Sequence, residues 1–392
     1  PKIMAREGFD MWIVNAREYN EDPVIMTLLP EPAMSARRRT ILLFYLHNDG
    51  SLEKLTLARY GMGDLYQGAW DADKEEQYAC LGRLVKERNP KSIGINVSET
   101  FAFGDGLTHS EYNQLAKALG EECMARTRGA VRLAVGWLEH RIQSEIDVYY
   151  GIVEIAHAIV AEAFSSRVIH PGITTTEDIV WWMRQKVLDL GLQSWFQPSV
   201  SIQAPGLPPR QPGSTTEGTR KLILPGDLLH CDSGIHYLGF ATDTQQNAYV
   251  LRQGEDNAPE GLKAAVATGN RLQDIVVGEF VAEKTGNQLL AATLSKARSE
   301  GIKASVYCHP LGYHGHAAGP IIGLWDNQVS VPGRGDYELF DNTCHAIELN
   351  IKQAIPEWGG QEVTMALEED VVFTGGKVYW LAGRQTKLHL IG

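Results

Sequence analysis

Two aspartates that lie eleven residues apart are the first side chains in this sequence that could act together chemically. Asp232 ends an apolar run and precedes Ser233-Gly234, a pattern that by itself is as typical of a turn as of a ligand. The midpoint between Asp232 and Asp243 falls at Tyr237-Leu238. If the chain turns back there as a hairpin, the two carboxylates face each other, with Cβ atoms about 4.5–5.5 Å apart. Carboxylates that close repel each other unless a cation lies between them, so we expect a cation.

A second acidic pair stands near the end of the chain. Glu348 lies in the apolar run 346–350, and Glu369 follows the apolar stretch that ends at Leu367. Each of them taken alone could be a surface residue. Burying a lone charge is costly, however, so acids set among apolar strand residues indicate a partner of opposite charge.

The segment 309–320 adds imidazoles, because it contains His309, His314 and His316 together with three glycines. A neutral imidazole is the commonest nitrogen ligand of Zn, Mn, Fe and Co. Four carboxylates and one imidazole carry a formal charge of about −4, which two divalent ions balance. Two ions about 3.5–4 Å apart can share a water and lower its pKa, which is hydrolytic chemistry.

The elements that must position these residues form two domains. Alternating apolar runs and helical spacing over residues 1–135 predict an α/β domain, in which we find no Gly-rich phosphate loop. A long amphipathic helix begins near Arg141. It is followed by two groups of strands with helices between them, which predicts an α+β domain over residues 136–392.

Composition excludes several classes of protein. With 392 residues, 44% hydrophobic and 21% charged, the chain is a typical globular protein of two or three domains. No apolar run approaches the roughly 20 residues of a membrane helix, and a net charge of −12 argues against nucleic acid as a partner. The five scattered cysteines predict neither disulfides nor a thiolate metal site. The sequence opens on Pro1, so we expect residues before it, and the compartment stays open between cytoplasm and export.

The motifs and their order resemble those of the pita-bread metallopeptidases, the group of aminopeptidase P, prolidase and methionine aminopeptidase. Over residues 140–392 the shared features are an Asp-x-Gly motif, an Asp eleven residues later, Gly-His-x-x-Gly, Ile-Glu and a final Glu-Asp. In this chain they are Asp232-Ser233-Gly234, Asp243, Gly315 to Gly319, Ile347-Glu348 and Glu369-Asp370. The preceding domain is similar to that of aminopeptidase P, prolidase and creatinase. The resemblance therefore implies a C-terminal pita-bread domain after a smaller α/β domain.

The resemblance also implies roles for single residues. His316 is preferred to His309 and His314 because it alone fits Gly-His-x-x-Gly, and Glu369 is preferred to Glu368 because an Asp follows it. Asp243 and Glu369 are expected to bridge two ions, of which Mn is favoured over Co, Zn and Fe, and Glu348 to pass a proton. A small peptide, with Xaa-Pro as the leading case, is the expected substrate, and a homodimer the expected assembly. The implied metal ligands are Asp232, Asp243, His316, Glu348 and Glu369.

The chain departs from the family pattern in four places, one of which is Leu367, where the family carries Arg two residues before the last Glu. Peptidases of this group carry a His seven residues after the ligand His, where this chain has Gly323, and another before the first Asp, roughly where residues 203–206 stand without one. The Thr of the family's Asp-x-Thr is Gln245 here. His309 and His314 either take over the catalytic roles of the missing histidines or only order their own loop. His230 shares the face of Asp232 by strand alternation, or is simply packed.

The leading hypothesis is a dinuclear metallohydrolase that acts on small peptides or amides. A second reading is a degenerate pita-bread protein that binds a peptide or a partner without cleaving it, which the missing histidines favour. A third is a C–N hydrolase that works without metal, as creatinase does, and the five-ligand set argues against it.

Overall fold

The computed structural model describes residues 1–31, 33–207 and 220–392. The chain divides into two compact units, Pro1–Leu138 and Glu139–Gly392. The sequence-based boundary after residue 135 falls inside the helix Val131–Glu139, three residues before this division. None of the described helices combines the length and the apolar character needed to cross a membrane.

The first unit is an α/β domain. Its strands are β1 (Met11–Arg17), β2 (Arg39–Leu46), β3 (Leu52–Thr56), β4 (Gln67–Gly68), β5 (Ile93–Ile95) and β6 (Thr127–Gly129). Its helices are α1 (Lys2–Glu7), α2 (Ile25–Leu28), α3 (Gln77–Arg88), α4 (His109–Met124) and α5 (Val131–Glu139), with a 3₁₀ turn at Ala102–Gly104. The strands form one mixed sheet in the order β4-β3-β2-β1-β5-β6. Buried β1 and β2 side chains pack with α3 and α4 in one core, as expected for apolar strands in a helix-covered sheet.

The second unit is an α+β domain. Its strands are β7 (Gln193–Ser194), β8 (Ser199–Gln203), β9 (Leu228–Ser233), β10 (Ile235–Tyr237), β11 (Phe240–Ala241), β12 (Thr244–Val250), β13 (Ala304–Val306), β14 (His309–Leu311), β15 (Thr343–Ile355), β16 (Gln361–Thr374), β17 (Lys377–Trp380) and β18 (His389–Ile391). Its helices are α6 (Gln143–Ala163), α7 (Thr176–Asp189), α8 (Glu260–Gly278) and α9 (Gly286–Ser299), with 3₁₀ turns at Arg334–Asp336 and Pro356–Trp358.

A nine-stranded sheet organises the second unit. Its main path runs β13-β15-β16-β12-β9-β8, with β14 on β15, β17 on β16 and β18 on β12. One face is apolar and packs against the helices: Leu349 and Leu367 share a core with α8 and α9, and Leu229 and Cys231 share a second core with α6 and α7. Side chains alternate along a strand, so the polar residues between these apolar ones all project from the opposite face.

Candidate metal centre

A row of four polar side chains crosses the sheet on the face away from the helices. Asp232 of β9 pairs with Gln245 of β12, Gln245 pairs with Glu368 of β16, and Glu368 pairs with Glu348 of β15. Directly opposed residues on neighbouring strands point to the same side and have neighbouring Cβ atoms. The register therefore sets three carboxylates and one amide side by side.

The hairpin that joins the two aspartates turns one residue later than expected. β10 and β11 pair through Tyr237 and Phe240, so Leu238 and Gly239 form the turn, with φ angles of 51° and 81°. A two-residue turn with both φ angles positive is common in hairpins and favours Gly. As a result Asp232 faces Gln245 directly, and the prediction that it faces Asp243 is wrong. Asp243 precedes Gln245 by two residues, so its side chain lies on the same side of the chain as that of Gln245.

Asp243 is held in place through its backbone. It is 4% exposed, and its N–H donates to the carboxylate of Asp370, with distances of 3.2 and 3.3 Å to the two oxygens. Asp370 is fully buried and follows Glu368 by two residues, so both project from the same face of β16. The carboxylate of Asp370 therefore holds the backbone of Asp243 next to the cluster.

Two histidines border the carboxylates. The Nε2 atom of His309 lies 3.4 Å from Asp243 Oδ2 and 3.4 Å from Glu368 Oε1. Its Nδ1 lies 2.9 Å from the Pro310 carbonyl oxygen, to which it can donate. The ring of His316 is 4.7 Å from that of His309 and 5.2 Å from Trp195, edge to face in both cases.

These residues form overlapping sets in which one ligand atom per residue lies within 4.8 Å of the others. Of the predicted site residues, Asp232, Asp243, His316, Glu348 and His309 come together in this way, and His314 joins none of the sets found among the described residues. His314 instead packs its ring 5.0 Å from that of Tyr313. The sets are Asp232, Asp243 and Glu368; His309, Glu348 and Glu368; and Asp243, His309 and His316.

Glu369 does not reach this cluster, and the predicted ligand position passes to Glu368. Glu369 pairs with Ile347 on the helix-packed face, where its Oε2 lies 2.7 Å from His157 Nε2 of α6. Its Oε1 accepts hydrogen bonds from the Gln385 backbone N–H at 2.7 Å and from Gln246 Nε2 at 3.2 Å. The physical reason is the pleat of β16: consecutive residues point to opposite faces, and the register with Glu348 selects Glu368.

The charges in the cluster perturb one another. Burial and the neighbouring carboxylates raise the pKa of Asp243 and of Glu368 well above their ordinary values. Burial lowers the pKa of His309, but the contact with Glu368 and the charges of Glu368 and Glu348 outweigh it and raise the pKa to about 9. Burial and the charge of His309 lower the pKa of His316 to about 4, so this imidazole is neutral at pH 7.

The donor set fits divalent metal ions. Asp243 Oδ1 is buried and accepts no hydrogen bond from the described residues, so it needs a cation or a proton. Carboxylate oxygens together with a neutral imidazole suit Mn, Co, Fe and Zn. In the described part of the chain, His309 and neutral donors such as Gln245 lie against several buried acids in one cluster, and a bound cation stabilises such an arrangement.

Comparison with known proteins agrees with this geometry. Residues 151–375, more than half of the chain, match the model of metallopeptidase family M24, and the chain belongs to this family. The resemblance to the pita-bread metallopeptidases is thereby confirmed. No curated protein sequence gives a significant match.

Solved structures share the fold over the whole chain at low sequence identity. The chain is similar to an X-Pro aminopeptidase from Thermotoga maritima (16% identity, 100% of each chain, TM-score 0.68). It is also similar to an Xaa-Pro dipeptidase from Bacillus anthracis (17%, 99% of this chain and 97% of that one, 0.62) and a prolidase from Pyrococcus furiosus (14%, 98% and 99%, 0.59). The predicted α+β fold, a pita-bread domain after an α/β domain, is confirmed.

The position seven residues after His316 is closed by the backbone. Gly323 has a φ of 80°, and a Cβ atom built on it would lie 2.2 Å from the Val306 carbonyl oxygen and 3.0 Å from Leu290 Cδ1. A positive φ and a contact that short both disfavour a side chain at this position. His316, in contrast, stands seven residues after His309 and lies beside it, so the spacing that the resemblance implies is present between these two histidines.

Proposed function

We propose that this chain is a metal-dependent hydrolase of small peptides or amides, with two divalent ions held by Asp232, Asp243, Glu348, Glu368 and His309. His309 takes the position expected of His316, because its Nε2 lies 3.4 Å from both Asp243 Oδ2 and Glu368 Oε1 and it belongs to two of the three ligand sets. The observation that carries the proposal is the convergence of four carboxylates and two imidazoles on one sheet face, in overlapping sets whose ligand atoms lie within 4.8 Å of one another. Family membership supports the same chemistry. Mn is the favoured metal by resemblance, while the ligand types equally suit Co, Zn and Fe.

The roles of the residues follow from their positions. When bound, divalent ions in such a set polarise a carbonyl group and lower the pKa of water. Glu348 is only partly buried, at the end of the acidic row, so its carboxylate can accept a proton there and deliver it to a leaving nitrogen. Asp243, anchored by Asp370, and the buried Glu368 form the centre of the set and keep their oxygens in fixed places.

The proposed substrate is a short peptide, with Xaa-Pro as the first case to test. The names of the similar structures, X-Pro aminopeptidase, Xaa-Pro dipeptidase and prolidase, support this choice. His316 is the candidate donor to the substrate carbonyl, because its ring lies 4.7 Å from that of His309 and a neutral imidazole keeps one N–H. His314 is the weaker candidate, since it packs on Tyr313 outside the metal sets.

A second candidate function is a protein that binds a peptide without cleaving it. The residues 203–206 favour it, because the resemblance implies a substrate-binding histidine near them and they contain none. Turnover separates the two functions, since both keep the carboxylate cluster.

The test begins with metal content. Protein purified without chelator is analysed by mass spectrometry and then assayed with dipeptides and Xaa-Pro peptides in added Mn²⁺. Two ions per chain with turnover are expected. Two ions without turnover on any peptide would favour the binding protein, and turnover that survives complete metal removal would favour a creatinase-like hydrolase. Light scattering on the same sample tests the proposed homodimer.

Glu348→Gln tests the proton-transfer role, with the Mn²⁺ content of the variant measured alongside because Glu348 is also a proposed metal ligand. It preserves shape but cannot take a proton, so turnover should fall by roughly 10²–10⁴-fold while the fold is kept. Glu362→Gln is the matched control, because Glu362 lies on β16 far from the row and pairs with Lys303 at 2.7 Å. Undiminished turnover of Glu348→Gln would contradict the proposed mechanism.

A further inference from the structure

The side-chain amide of Gln245 lies between two of the acids in the row. Its Nε2 donates to Glu348 Oε1 and, at 2.9 Å, to Glu368 Oε2. Its Oε1 lies 2.9 Å from His230 Nε2. Gln245 is 4% exposed and His230 is 1% exposed, so both groups act without competition from bulk water.

The orientation of this amide is set by chemistry. In the form that binds a cation both carboxylates are ionised and only accept hydrogen bonds, so the NH₂ group of Gln245 must face Glu348 and Glu368. Its carbonyl oxygen then points to His230, whose Nε2 must carry the hydrogen that it donates. One arrangement of donors and acceptors therefore satisfies all three contacts, which a flipped amide would break.

We infer that Gln245 is a positioning residue that holds Glu348 and Glu368 together as a pair of metal ligands, and that His230 orients Gln245. The inference rests on the proposed function, since it concerns the same site. Adjacent carboxylates repel each other and separate when no donor lies between them. A neutral amide bridges them without cancelling their charge, and it leaves their other lone pairs available to a cation.

The register explains why glutamine can do this here. The resemblance implies Thr at this position, a shorter side chain with a single donor hydrogen. Gln245 stands directly opposite Glu368, and Glu348 is the next residue in the row. A glutamine side chain has two N–H donors on one nitrogen, which is what two carboxylates on neighbouring strands require.

The next residue in the chain supplies a matched control. Gln246 is equally buried, at 5% exposure, but alternation turns it to the helix-packed face. There its Nε2 donates to Glu369 Oε1 and its Oε1 lies 2.8 Å from His389 Nε2. Replacing Gln246 therefore removes a buried amide of the same size from the same strand without touching the acidic row.

The experiment is a calorimetric titration of the metal-free full chain with Mn²⁺. Gln245→Met keeps the length of the side chain and removes both donors, so its Mn²⁺ affinity should fall by about 10–100-fold. Gln246→Met should bind Mn²⁺ within about 3-fold of the unmodified protein. The melting temperatures of the two metal-free variants should fall by similar amounts, so a loss of Mn²⁺ affinity confined to Gln245→Met cannot be ascribed to a general loss of stability. His230→Phe tests the orienting contact and should give a smaller loss than Gln245→Met.

The outcomes separate this inference from the proposed function. No Mn²⁺ binding by the unmodified protein would refute the proposed function and this inference with it. Tight binding by the unmodified protein together with equal or tighter binding by Gln245→Met would refute the inference alone, because Gln245 would then only fill space. If Gln245→Met does not fold, undiminished Mn²⁺ affinity in His230→Phe overturns the orienting role on its own.

Discussion

Glu368 and Glu369 are neighbours in sequence, equally buried, and placed in opposite electrostatic surroundings. Glu368 projects into a row of acids whose charges raise its pKa well above the ordinary value. Glu369 projects to the helix-packed face, where His157, Gln246 and the Gln385 backbone N–H all contact its carboxylate. Burial lowers the pKa of His157, but the contact with Glu369 and its charge outweigh this and raise it.

The comparison shows that burial of an acid does not by itself indicate a functional site. On the helix-packed face, His157 and two neutral donors compensate the charge of Glu369. The acidic face collects several carboxylates around His309 and Gln245, which cannot neutralise all of them. A deficit of positive charge, rather than the presence of an acid, therefore distinguishes the face that needs a metal from the face that does not.

The largest expected effect is the loss of turnover when Glu368 is replaced, compared with the replacement of Glu369. Glu368→Gln should lower turnover in Mn²⁺ by roughly 10³-fold or more, because several kcal/mol of metal-dependent stabilisation are lost. Glu369→Gln should change turnover at saturating Mn²⁺ by less than about 10-fold, since its neighbours are structural. Equal losses of activity in the two variants, measured with the same substrate, would contradict the assignment of Glu368 as a metal ligand and Glu369 as a structural residue.

The next effect concerns stability. His157→Ala leaves Glu369 buried without its cation, so the free energy of unfolding at pH 7 should fall by about 3 kcal/mol. Urea denaturation of the metal-free protein measures it. His170→Ala is the control, because His170 is exposed, and it should stay within about 0.5 kcal/mol. A His157→Ala protein as stable as the His170→Ala protein would mean that the ion pair with Glu369 contributes nothing.

The pH dependence of stability tests the acidic face. The folded-state pKa of His309 is raised from 6.5 to about 9, so its contribution is complete below about pH 6.5 and is lost as the pH rises through 9. The raised pKa values of Asp243 and Glu368 act in the same direction, because the folded protein then binds more protons than the unfolded one. Metal-free protein should lose on the order of 1–3 kcal/mol between pH 6.5 and 9.

Glu368→Gln should flatten this dependence, since it removes the charge that raises the pKa of His309. His157→Ala should leave the part due to His309 in place. Urea titrations at three pH values give the slope for each variant. A metal-free protein whose stability increases over this interval would show that the acidic face is not strained by its charges.

The smallest expected effect lies at the edge of the helix-packed face. His389→Ala removes the partner of Gln246 Oε1 and should cost about 1 kcal/mol of unfolding free energy. Its Mn²⁺ affinity should match that of the unmodified protein within error. A change in metal affinity comparable to that of Glu368→Gln would show that the two faces are coupled through β16.

Much of the fold and part of the site follow from sequence pattern. Apolar runs and helical spacing identify the element types, and the order of acids and histidines identifies the face on which they meet. The hairpin between Asp232 and Asp243 was also foreseeable, but its centre was not. A shift of one residue brings Gln245 rather than Asp243 opposite Asp232, because positive φ angles fall at Leu238 and Gly239.

The choice between Glu368 and Glu369 depends on which face of β16 each side chain projects from. The sequence does not show this, because residues 368–370 are three consecutive acids. Only the register with Glu348 and the ion pair with His157 determine it, and His157 lies more than 200 residues away in sequence. One signal was present: His157 follows Val153 by four residues and precedes Val160 by three, so it interrupts the buried face of α6. A polar residue at that position predicts a buried partner.

The closed position at Gly323 has a consequence for changes made near the metal centre. Any side chain there would collide with the Val306 carbonyl oxygen, and the backbone would first have to leave its left-handed conformation. The preceding residue, Ile322, donates its backbone N–H to the Cys308 carbonyl oxygen at 3.0 Å, directly before His309. A substitution at residue 323 should therefore displace the chain beside His309 instead of adding a side chain to the site.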